Sequence, residues 1–279
     1  MTLNLFYLGF FLIVFSSCRF AGNNGEKEQV VDHCEANGRA ILTGTFMGMP
    51  IGLNYVDGSL MVYDAADKEA YKAISLKGNK VFPFLKRGAG PHEMLIPRGS
   101  INSDLDLLVV HCSNTHKKMM FSISDLLSGV FSPLEVTDVV EKDQGFLFKF
   151  CVAGKGRYVG NYHFFKDDHT YALLDENFKV INKGGSFPVY ESSEKEKSIT
   201  KSMVFQGRMF YNNKRNQGGM FYSQCRGFDL FKVDGDSIRI IRSELLNKPL
   251  YKVGGQPGDV IFSKENENGF RFCSSDYTI

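Results

Sequence analysis

Few residues of this chain are grouped in a way that would support catalysis. Asp167-Asp168-His169 has the oxygen and nitrogen types that bind a cation, but neighbours on a turn point apart, so a solvated turn is expected. His92 and Glu93 pair an acid and a base by type, yet they follow Gly88-Ala89-Gly90-Pro91 and read as part of a linking turn. His111 and His163 fall at matching places in two similar segments, where polar contacts between packed units are expected rather than a catalytic pair. The six cysteines (18, 34, 112, 151, 225 and 273) are scattered, with no C-x-x-C spacing for zinc or redox chemistry. Most are expected as small buried apolar residues. Neither a Gly-x-Ser-x-Gly elbow nor a Walker loop nor a dinucleotide fingerprint occurs. The sequence thus implies no cofactor and no metal site, and favours a non-enzymatic role.

Cys18 is the exception. An apolar run, Leu5–Phe15, has the length of a signal-peptide core and is too short to span a bilayer. It ends in Phe15-Ser16-Ser17-Cys18, which resembles the lipobox of bacterial lipoproteins. That resemblance implies cleavage before Cys18, a lipid on its thiol, and residues 1–17 as a lipoprotein signal peptide. Residues 18–39 are polar and without a period, as suits a flexible tether. The first partner expected is therefore a membrane, reached through the N-terminal lipid. Acidic residues do not crowd the positions after Cys18. In the lipoproteins this chain resembles, that favours the periplasm-facing side of the outer membrane over surface display.

What remains, residues 40–279, is long enough for one domain with a substantial core. A net charge of +2 with interspersed signs leaves no nucleic-acid footprint. The 25 Phe, 12 Tyr and 28 Gly against 8 Pro favour strands and tight turns. Five segments share a strand–turn–strand form: 51–65, 101–114, 148–164, 202–215 and 260–276. Their expected turns are Gly58, Asp106, Gly156, Gly207 and Gly269, recurring at intervals of about 50 residues. Two more strands follow in each unit. Unit one has 70–76, a Gly78-Asn79 turn and 80–85; unit four has a second hairpin around Asp234-Gly235-Asp236. In unit two the fourth strand, near 130–139, carries Pro133 and is expected at an outer edge. Four strands repeating at this period define an all-β fold, a β-propeller of four-stranded blades.

The links between units carry Gly-x-x-Pro at Gly88–Pro91, Gly185–Pro188 and Gly254–Pro257, twice followed by an acid, Glu93 and Asp259. Glycine at positive φ and proline holding the next stretch extended would return the chain to the axis. Gly88, Gly90, Pro91 and Glu93 are thus expected as structural linker residues. The stretch FLKRGAGPHEM (84–94) resembles the linker of TolB-like six-bladed propeller lipoproteins of Bacteroides and relatives. The resemblance implies six blades. Five units are countable, and the fifth stops near Asp276–Ile279, so the propeller is expected to be incomplete, short by on the order of 70–80 residues. The segment Ala40–Phe46 reads as a lone ring-closing strand, and a five-bladed ring is the alternative. Functionally the expectation is a binding or assembly module for a protein, peptide or glycan. The alternative is a lactonase-like, metal-dependent hydrolase using the channel. Its ligands would come from the inner-strand positions Asn54, Asn102, Asp104 and Asn161, which include no Glu.

Overall fold

The computed structural model describes residues 47–262 apart from 79, 140–145, 164–167, 191–195 and 254–259. Cys18, Ala40–Phe46, the third Gly-x-x-Pro link, Asp259 and Gly269 lie outside these residues. The described chain forms four four-stranded antiparallel sheets, each built from consecutive strands, and a two-stranded one. Blade one is β1 (Pro50–Val56), β2 (Ser59–Asp64), β3 (Glu69–Ser75) and β4 (Lys80–Lys86). Blade two is β5 (Arg98–Asn102), β6 (Leu107–Cys112), β7 (Lys117–Ser122) and β8 (Glu135–Asp138). Blade three is β9 (Phe146–Gly154), β10 (Arg157–His163), β11 (Tyr171–Leu174) and β12 (Val180–Gly184). Blade four is β13 (Gly207–Asn212), β14 (Gln217–Tyr222), β15 (Gly227–Asp234) and β16 (Ser237–Leu245), after which β17 (Tyr251–Val253) pairs with β18 (Val260–Phe262).

The strand sequences explain why blades stack. A sheet covered on both faces reads as an unbroken apolar run rather than an alternation. β6 (LLVVHC) and β11 (YALL) are buried at every position. Their side chains divide between seams. Leu108 and Val110 join a core with Met61, Tyr71 and Leu85 of blade one, whereas Leu107 and Val109 join one with Phe150 and Tyr158 of blade three. In β11, Ala172 and Leu174 face that second core, and Tyr171 and Leu173 face a third with Met220 and Phe231 of blade four. Outer strands such as β8 and β12 are mostly exposed or half-buried.

Turn chemistry follows the sequence at three of the expected positions. Gly58 (φ 73°), Asp106 (φ 51°) and Gly156 (φ 66°) all adopt the left-handed conformation that closes a hairpin. Gly207 does not. Residues Ser198–Val204, read as a strand and preceding loop, form a helix instead, and Gly207 opens β13. The reason for glycine there is space: a Cβ would stand 2.0 Å from the Phe221 carbonyl oxygen. The hairpin of blade four therefore turns at 213–216, beyond the expected site. A second short helix, unannounced by the strand pattern, occupies Ile123–Ser128. The Ser122 hydroxyl caps it, accepting from the Asp125 amide at 3.0 Å.

The link after blade one is also held differently from expectation. Of the linker glycines described, Gly185 has positive φ (72°), while Gly88 and Gly90 do not. Glu93 fills the space inside the turn. Its carboxylate accepts from the Gly90 amide at 3.0 Å, and a Cβ on Gly88 would lie 2.0 Å from the same oxygen. The Lys117 ammonium of blade two donates to the Gly90 carbonyl at 2.5 Å, tying the link to the next sheet.

Candidate binding channel

The first strand of each blade lies innermost, and β1, β5, β9 and β13 surround a cavity of about 600 Å³. Polar side chains hold these strands in step. Arg98 Nη1 donates to the Leu147 carbonyl at 2.7 Å, and Asn102 Nδ2 donates to the Val152 carbonyl at 2.9 Å. Both bonds advance together along the chain, so β5 and β9 run parallel and level. Arg208 of blade four donates through Nη2 to the Ile51 carbonyl of blade one at 3.2 Å, across the channel.

The wall mixes aromatic and polar groups. Tyr55, Phe210 and Phe221 line it, with Asn54, Asn102 and Asp104. Phe210 and Phe221 stack at 5.5 Å between centroids. At the hairpin end, Lys214 pairs with Asp104 at 3.2 Å. Away from that end Arg208 lines the cavity, while Arg98 and Lys149 gather at Phe148 outside the lining. Arg98 and Arg208 each stand four residues before the end of their strands, and Lys149 five, which puts three cations from blades two, three and four at one level. The Arg98 guanidinium lies 4.9 Å and the Lys149 ammonium 5.6 Å from the centre of the Phe148 ring. Partial removal from water, with the charges of Arg98 and Arg208, brings the Lys149 pKa down to about 8.

Of the sequence candidates, Asn54, Asn102 and Asp104 reach the channel. Asn102 is already engaged, since its Oδ1 also accepts from the Leu105 amide at 3.2 Å. Asn161 is not an inner-strand residue: it sits on β10, fully buried, and donates to the Thr170 carbonyl. His111 is buried between blades two and three, stacked on Phe178 at 4.9 Å. The side chain of His163 lies outside the described residues. His92 and Glu93 line a separate groove with Phe84 and Phe131. Asp168 accepts from Ser198 at 2.6 Å and pairs with Lys201 at 3.2 Å, while His169 is exposed. Among the described residues no three His, Cys, Asp or Glu side chains gather as metal ligands. Cys112, Cys151 and Cys225 are buried free thiols. The residues missed in the sequence are Arg98, Lys149 and Arg208. Their signal was a basic residue recurring at one place in successive inner strands.

The profile of a family described as TolB-like 6-blade propeller-like matches residues 32–246. No curated protein matches the sequence. Among solved structures, a Bacteroides fragilis protein designated as exported shares 14% identity at a TM-score of 0.47, over 76% of this chain and 58% of that one. An auxiliary nutrient binding protein from Bacteroides thetaiotaomicron shares 8% identity at 0.44, over 77% of this chain and 46% of that one. The WD40 domain of Toxoplasma gondii coronin shares 10% at 0.44, over 72% and 47%. The chain thus spans less than two thirds of the length of each of these proteins.

Proposed function

The chain belongs to the TolB-like six-blade propeller family, and from that premise we propose that it is an envelope lipoprotein whose propeller is a binding module, with the central channel as its ligand site. The observation that carries this reading is the cavity of about 600 Å³, whose wall offers stacked aromatic rings beside amide and charged groups. Rings give apolar contact and the polar groups give orientation. A protein loop, a peptide or a glycan chain end would fit that chemistry.

The address of the module rests on the N-terminal sequence. The apolar run ending in Ser16-Ser17-Cys18 supports a lipid on Cys18, a tether over 18–39, and a domain from residue 40 onward on the periplasmic side of the outer membrane. Expressed in a bacterium, the full chain is expected to incorporate labelled palmitate and partition into detergent. A Cys18→Ala protein that still takes up the label would overturn the anchor.

The binding reading is tested with arrays of glycans and peptides, comparing the wild type with an Arg208→Ala/Phe210→Ala variant. Retention by the wild type and loss in the variant support the channel. Equal retention moves the ligand elsewhere. Hydrolysis of a lactone or phosphoester that needs a divalent ion replaces the binding module with the hydrolase.

A further inference from the structure

A second groove, about 450 Å³ in volume, lies along β4, the outermost strand of blade one, and shares no lining residue with the channel. Its apolar wall is Phe84 and Phe131 with Pro83 and Pro91. The rings are fixed from behind. Phe84 stands edge-on to Phe121 at 5.4 Å and 5.8 Å from Tyr71, and Phe131 rests on Phe82 at 6.0 Å. Charged groups share the lining: Glu69, Lys86 and Glu93. Glu93 is engaged inside the turn by the Gly90 amide. Glu69 and Lys86 are cross-strand partners on β3 and β4, so their side chains leave the sheet on one face. Glu69 is half-buried and Lys86 exposed. Among the described residues no ion pair joins the two, so each charged head is open to a third group.

We propose that this groove is a second ligand site, taking a free α-amino acid with an apolar side chain: Glu69 receives its ammonium, Lys86 its carboxylate, and Phe84 and Phe131 its side chain. Both charges of an α-amino acid sit on one carbon, a separation that fits between two opposed side chains whose Cβ atoms are about 5 Å apart. Inserted there, the ligand completes a row of alternating charges. The Lys86 ammonium donates to the ligand carboxylate, and the ligand ammonium donates to Glu69. A longer peptide suits one cross-strand pair less well, because its ends part by roughly 3.5 Å with each residue. The charged pair sets orientation and the rings supply apolar contact, as in small-molecule pockets generally. The Lys117 ammonium holds the link through the Gly90 carbonyl, and the rings are already packed, so little has to be ordered on binding. The site is independent of the channel and of what the channel binds.

The test titrates the full chain calorimetrically, at neutral pH and constant ionic strength, with phenylalanine, leucine, alanine, N-acetylphenylalanine and phenylalanine amide. Phenylalanine or leucine is expected to bind, and alanine and the two blocked forms to bind more weakly by about tenfold or more. Glu69→Gln is expected to weaken phenylalanine but not N-acetylphenylalanine, which has no ammonium. Lys86→Gln is expected to weaken phenylalanine but not its amide, which has no carboxylate. A merely structural role would lower the affinity for every probe alike, and that result overturns the assignment of the residue. No binding of phenylalanine or leucine at millimolar concentration overturns the site, as does a blocked form or alanine binding as tightly as phenylalanine. Unchanged phenylalanine affinity in both variants places the amino acid elsewhere and overturns the groove. If neither variant folds, the blocked probes on the wild type decide alone. Glycan and peptide arrays display no free amino acid, so the channel reading and this one fail separately.

Discussion

The seam between blades three and four and the channel wall use the same strands for opposite purposes. In the seam the Tyr171 hydroxyl donates to Asp229 Oδ2 at 2.6 Å, and Asp229 is 2% exposed. Burial, with the Asp229 charge beside it, pushes the Tyr171 hydroxyl well above its ordinary pKa, so it stays a donor. Phe231 lies against Tyr171 at 5.0 Å and is fully buried. In the channel Arg208 is exposed, and Lys214 reaches its partner with its side chain 83% exposed. Along β13, Met209 and Tyr211 pack on the seam core and also reach the cavity wall, where Arg208 and Phe210 of the opposite face join them. Seam and channel therefore share residues of the inner strands, and they differ in exposure and charge rather than in the strands that build them.

The comparison breaks most easily in the seam. Phe231→Ala is expected to cost about 3–5 kcal/mol, from lost transfer and the cavity left behind, read in urea unfolding. A loss below about 1 kcal/mol would mean that the seam repacks freely. Tyr171→Phe leaves Asp229 buried without that donor and is expected to cost about 1–3 kcal/mol. A cycle with Asp229→Asn should show coupling between the two positions.

Two predictions concern the frame that both regions share. Gly88→Val must displace the Glu93 carboxylate from the turn and is expected to cost about 1–2 kcal/mol, read as a lower melting temperature. Pairing it with Glu93→Ala should recover part of the loss. Asp64 at the end of β2 accepts from the amides of Met49, Gly48 and Ala66 and from Lys72. Burial opposes its charge, but these bonds outweigh it and hold the pKa down to about 2. Its folded-state pKa is depressed, so its contribution is fully present above about pH 4 and lost as pH falls toward 2. Asp64→Asn should flatten the acid limb of the stability profile; an unchanged limb would remove Asp64 from the frame.

The smallest effect is expected in the channel. Lys214→Ala breaks an exposed pair with Asp104 and should change stability by less than about 0.5 kcal/mol. A larger loss would show that the channel wall also carries stability.

Much of the architecture was legible in order. Val109 and Leu173 sit in unbroken apolar runs because both faces of a middle strand are covered, and that needs no knowledge of the neighbours. Gly58, Asp106 and Gly156 marked hairpins because a turn needs positive φ locally. Gly207 misled because its glycine answers to the Phe221 carbonyl, a contact made across the sheet. Gly88 looked like a φ requirement and is a steric one, set by where Glu93 folds back. Asn161 was placed on an inner strand through a matching segment, yet it points into a blade from β10.

The sequence by itself determined the strand repeat, the all-β class and the signal-like start that ends at Cys18. These depend on period, turn propensity and composition, which act over a few residues. The tertiary structure alone decided that Arg98, Lys149 and Arg208 meet, that Arg208 reaches Ile51, and that Asp104 answers Lys214. Those groups lie about 50 or more residues apart along the chain. Their meeting is a consequence of stacking whole blades around an axis, because the stacking angle and strand level, not any local preference, bring their charges within reach.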